Sequence, residues 1–66
     1  EMCIRDSIYW DSMNEVPFSI LDVYGRLVRN GDLRNGENVI SLDGFSVGLY
    51  FLKSPSATVK FLVTNG

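Results

Sequence analysis

Between residues 18 and 55 the chain alternates short apolar runs with polar breaks, FSILDVYGRLVRNGDLRNGENVISLDGFSVGLYFLKSP, and leaves no room for a helix. The pattern predicts a row of β-hairpins. In residues 16–23, VPFSILDV, Phe18 and Ile20 share one face and Ser19, Leu21 and Val23 the other, so both faces are largely apolar, as in a strand inside a sandwich. Pro17 has no amide to donate, which places it at the strand's start or on a sheet edge, with the strand proper beginning near Phe18. Residues 8–10, IYW, read as a short strand ahead of a polar loop, and alternation resumes in residues 37–42, 48–53 and 57–63.

The breaks carry the turn chemistry. Asp22-Val23-Tyr24-Gly25 has Asp at the first position of a β-turn, where its carboxylate can accept from backbone amides, and Gly at the fourth. Asn30-Gly31 is the strongest short-range hairpin signal, because both residues tolerate the positive φ of a type I′ turn, and Asn35-Gly36 repeats it. Asp43-Gly44 ends the strand predicted over residues 37–42. The apolar residues of 45–47, Phe-Ser-Val, are expected to plug one end of the core, and Ser54-Pro55-Ser56 to turn the chain into its last strand, whose apolar face is Val59, Phe61 and Val63. Strands every 8 to 12 residues, separated by turn signals, predict an all-β sandwich or partial barrel.

Length and charge narrow the function. A chain of 66 residues is one small domain with modest stability. Its net charge of −2 arises from eight acids and six bases spread along the chain, without the basic clustering that nucleic acid requires. The longest run of apolar residues and glycine, 47–52, is far short of the roughly 20 residues of a membrane-spanning helix. With no histidine and the single Cys3, Ser-His-Asp and Cys-His nucleophiles are excluded and most zinc sites lose their usual ligands. The expectation is a chain with no catalysis and no cofactor.

The remaining candidates have plain structural explanations. Asp11, Glu15, Asp22, Asp32, Glu37 and Asp43 fall mostly in turns, where carboxylates serve solubility and backbone hydrogen bonding; calcium binding or an acid/base pair among them is the alternative. Gly31 and Gly36 have the spacing of a phosphate loop, but Glu37-Asn38 follows where Lys-Ser/Thr belongs. The aromatic residues could form a stacking platform, although a chain this small needs most of them for its core.

Residues 1–7, EMCIRDS, show neither strand alternation nor a helix cap, and resemble the translation of a sequencing-adapter end. They are read as a non-native scar, with a genuine irregular end as the other reading. The domain proper is then 8–66, cut at its N-terminal end, so that a cargo domain and a signal peptide would lie upstream of this fragment.

The string Ile20-Leu21-Asp22-Val23-Tyr24-Gly25-Arg26-Leu27-Val28 resembles the strand, Asp, Gly-Arg/Lys turn and strand of the type IX secretion C-terminal sorting domain, type A. Residues 36–42 are similar to its glycine-led alternating element, residues 42–52 to its Gly-x-Tyr element, and residues 59–63 to its Lys-containing terminal strand. The pieces run in order from 18 to 63. The family's upstream Asn-Pro strand and its final basic residue have no counterpart here.

The resemblance implies a small immunoglobulin-like antiparallel β-sandwich that directs a cargo protein through the outer-membrane translocon. It also implies transit through the periplasm of a Gram-negative bacterium, then release or surface attachment by sortase components. The implied recognition residues are Asp22, Gly25, Arg26, Gly48, Tyr50, Lys60 and Phe61, with recognition expected by backbone pairing and a few exposed side chains. The alternative is an accessory sandwich of an extracellular hydrolase or adhesin that binds carbohydrate or protein. An exposed, unpaired strand edge is expected to self-associate in isolation.

Overall fold

The computed structural model describes residues 2–64 and holds seven strands: β1 (Met2–Ile4), β2 (Ser7–Ser12), β3 (Val16–Asp22), β4 (Leu27–Leu33), β5 (Gly36–Ser41), β6 (Gly48–Lys53) and β7 (Thr58–Val63). They form a five-stranded sheet in the order β1-β7-β6-β3-β4 and a two-stranded sheet of β2 and β5. All pairs are antiparallel except β1 with β7. The result is the small β-sandwich that the strand spacing predicted.

Alternation decides what the sheets bury. Phe18 and Ile20 of β3, Tyr50 and Leu52 of β6, Phe61 and Val63 of β7 and Leu33 of β4 meet Ile8 of β2 and Ile40 of β5 in one core, joined by Leu42. Phe61 and Ile20 are fully buried. No polar or charged residue is buried, so among the described residues the core is held by apolar packing without internal polar networks.

The connections differ from a row of hairpins. Only β3–β4 and β6–β7 are consecutive strands paired in one sheet; the links from β1 to β2, β2 to β3, β4 to β5 and β5 to β6 cross between sheets. Asn30-Gly31 is not a turn. It lies inside β4, with Phe18 opposite Gly31 and Ser19 opposite Asn30, and neither residue has the positive φ that a type I′ turn needs. Gly31 serves packing instead: a Cβ there would stand 3.0 Å from Phe18 Cε1, so the bare backbone leaves room for the Phe18 ring. Asn35-Gly36 does turn the chain, but as a corner between sheets. The Asn38 side chain holds that corner, accepting from the Arg34 amide at 2.8 Å and donating to the Arg34, Gly36 and Trp10 carbonyls.

Two smaller expectations also shift. Pro17 is the second residue of β3, which starts at Val16; it sits where only β4 flanks the strand, since β6 pairs from Ser19 onward. In the loop before β6, Phe45 packs against the core, whereas Val47 is 61% exposed. Met2–Ile4 forms a strand beside β7, although residues 1–7 show no strand alternation; Cα pairing of Met2 with Phe61 and of Ile4 with Val63 is a tertiary effect that local pattern does not encode.

Candidate recognition surface

The turn between β3 and β4 is built around Asp22. Its Oδ1 accepts from the amides of Tyr24 (2.9 Å) and Arg26 (3.0 Å), and its Oδ2 from Arg26 Nε at 2.8 Å. The backbone closes the same turn, with the Gly25 amide donating to the Asp22 carbonyl and the Asp22 amide to the Arg26 carbonyl. Gly25 has φ 81°, the left-handed conformation that completes a three-residue hairpin loop and that a side chain resists. Asp22, Gly25 and Arg26 therefore act as one unit, and each has a structural task in it.

The electrostatics follow from that geometry. Partial burial pushes the Asp22 carboxyl up, but the hydrogen bonds from the Arg26 and Tyr24 amides and the Arg26 guanidinium, with its charge, outweigh this and hold it below its ordinary 3.8. A carboxylate with a lowered folded-state pKa contributes stability above its unfolded pKa and loses it as pH falls through the folded value. Thermal melts of Asp22→Ala should therefore lose part of the decline in Tm that the parent chain shows below about pH 4. A parallel acid decline in both proteins would show that the Asp22 interactions do not stabilise the turn.

Across from this turn stands the loop of residues 43–47 that leads into β6. Asp22 and Tyr50 are register partners between β3 and β6, and Gly48 pairs with Val63 at the start of β6. A shallow depression joins the two loops, lined by Tyr24, Arg26, Val28, Ser46, Val47 and Gly48 among others. The tertiary structure thus brings Asp22, Arg26, Gly48 and Tyr50, up to 28 residues apart in sequence, to one end of the sandwich.

Tyr50 and Phe61 support this end from below. Phe45 meets Tyr50 edge-on with centroids 5.1 Å apart, Tyr50 stacks on Phe61 at 5.8 Å, and the Tyr50 hydroxyl donates to the Ser46 carbonyl at 2.8 Å. Both residues are buried, so their task is to fix the loop. Lys60 lies apart: it is exposed, pairs in register with Phe51, and occupies the alternate face of β7 from Phe61. Of the seven residues read from the sequence, six gather around one end and its support, and Lys60 does not.

Sequence reading missed two features. Arg29 donates to the Ser41 carbonyl (2.6 Å) and the Asp43 carbonyl (3.1 Å), with its guanidinium 4.8 Å from the Phe45 ring centroid, and so ties β4 to the facing loop. Its signal was inward phasing, since it shares a strand face with Gly31 and the buried Leu33. The second is an exposed apolar patch at the same end. Val23, Tyr24, Leu27 and Val47 are each more than half exposed and Val28 is 41% exposed. Among the described residues no three metal-ligating side chains come together.

No curated protein and no solved structure gives a significant match to the chain. Residues 4–64 match a protein family described as the secretion system C-terminal sorting domain. That match covers nearly the whole chain, and the chain belongs to this family of C-terminal sorting signals for type IX secretion.

Proposed function

We propose that this domain has no catalysis of its own and carries a preceding cargo protein across the outer membrane by docking on the type IX translocon. The docking surface is the loop end formed by residues 22–28 and 43–48. Cargo bearing it passes through the periplasm and is then released or attached to the cell surface, with sortase components acting after passage. The observation that carries this reading is the convergence of the motif segments, distant in sequence, on one end that also exposes an apolar patch around Arg26.

Turn-forming residues and contact residues must be separated in the test, because Asp22 and Gly25 also hold the fold. Val23 and Val47 are exposed and have no place in the core cluster. The whole chain, fused to a periplasmically exported fluorescent reporter, is expected to reach the medium or surface of a type IX host and to remain inside a translocon-deleted strain. Val23→Asp with Val47→Asp should leave the melting curve nearly unchanged, within about 0.5 kcal/mol per site, and sharply reduce export. Undiminished export of that double variant would place the docking surface elsewhere, with Lys60→Ala the next test. A fusion carrying only residues 8–66 tests whether residues 1–7 belong to the signal.

A further inference from the structure

The sandwich has four strand edges, and three of them are guarded. β1 is only three residues long. β4 is irregular, with a register shift opposite Ile20 and Leu21, and carries Arg29 and Asp32. On β5, the outward Ser41 carbonyl is already occupied by Arg29 Nη1. β2 carries a single charged residue, Asp11, and is otherwise regular, six residues long and without such contacts on its outer edge.

Its free backbone groups can be assigned from the ladder. The Leu42 amide donates to the Asp6 carbonyl, and the register pairs Ser7 with Ser41 through Ser12 with Gly36. Asp6, Ile8, Trp10 and Ser12 therefore direct their amides and carbonyls toward β5, and Ser7, Tyr9 and Asp11 direct theirs away from it. Among the described residues, none of those outward groups has a hydrogen-bond partner. Six residues of regular strand, without proline, lysine or bulge, present an open template.

We infer that this edge pairs with β2 of a second copy of the chain, antiparallel about a twofold axis at Tyr9. The register is self-complementary. Tyr9 meets its own counterpart, an aromatic cross-strand pair, and each Asp11 meets a Ser7, so no carboxylates face each other. About six ladder hydrogen bonds form, and the two-stranded sheet, a marginal unit by itself, becomes the half of a four-stranded one. A contact made by one strand pair is small, so the dimer is weak and concentration-dependent. The inference does not depend on the sorting reading.

Sedimentation equilibrium of the whole chain with Cys3→Ser, at concentrations up to the millimolar range, should show a monomer–dimer equilibrium. Tyr9→Pro removes an outward amide and spares the β2–β5 ladder, so it should weaken dimerisation by at least about tenfold. Tyr9→Lys keeps the amide and sets two cations across the axis, with the same expected result and an unchanged circular dichroism spectrum. Tyr9→Cys with Cys3→Ser should yield an oxidised, disulfide-linked dimer, whereas Met13→Cys with Cys3→Ser, at a loop site, should not. A monomer at every concentration, or a dimer that both Tyr9 variants leave intact, would overturn the inference.

Discussion

Replacing Phe61 with alanine should leave most of the chain unfolded at 25 °C. Phe61 is fully buried near the centre of β7, stacks on Tyr50, and packs in a core of apolar and aromatic side chains. Phe→Ala in a packed core costs about 3–5 kcal/mol. A domain of this size has about 3–10 kcal/mol of total stability by the usual per-residue scale. At the low end of that range, where a chain this short with a small core belongs, the substitution removes most or all of it. Urea denaturation followed by circular dichroism would show the midpoint moving toward zero denaturant, with Phe61→Leu retaining a measurable transition. A cooperative transition in Phe61→Ala close to that of the parent chain would contradict the central position of Phe61. Because the loop end rests on the Tyr50–Phe61 stack, the alanine variant should also lose export, through loss of fold and without any contact of its own to a receptor.

Introducing valine at Gly31 should lower stability by about 1–3 kcal/mol, the range for overpacking a filled site. β-propensity alone argues the other way, since valine favours an extended backbone over glycine. The Phe18 ring decides the outcome: a Cβ at position 31 already lies 3.0 Å from Cε1 and 3.3 Å from Cζ, and valine adds two methyl groups to it. A double-mutant cycle with Phe18→Ala isolates the cause. Valine should be far better tolerated once the ring is gone, with a coupling of about 0.5–3 kcal/mol. Zero coupling would mean that Gly31 has no packing role against Phe18. The same cycle distinguishes a strand glycine from a turn glycine, because a type I′ turn residue would gain nothing from removal of a cross-strand neighbour.

That contrast shows where local sequence stops being informative. Asn30-Gly31 and Asn35-Gly36 carry the same dipeptide, and each permits a tight turn. The first is extended in β4 because Phe18, thirteen residues earlier, needs space against the partner strand. The second bends, and its bend is held by Asn38, whose amide group satisfies the corner's backbone. Asp22–Gly25, in contrast, was legible as a turn, since every hydrogen bond that defines it lies within four residues. The recognition end was half legible: its motif residues could be named from the sequence, but their convergence, the Arg29 tie and the apolar patch depend on contacts between segments far apart in the chain.

By itself, then, the sequence determined the positions of β2, β3, β5, β6 and β7, the apolar face of β7 and the Asp22 turn, because period-two alternation and short-range turn chemistry act within a few residues. Tertiary structure alone decided which strands pair, that β6 lies between β3 and β7, that Met2–Ile4 joins the large sheet, and that the β2 edge remains open. Those choices are made by burial of one shared core from both sheets, and an apolar residue carries no mark of which distant partner will cover it.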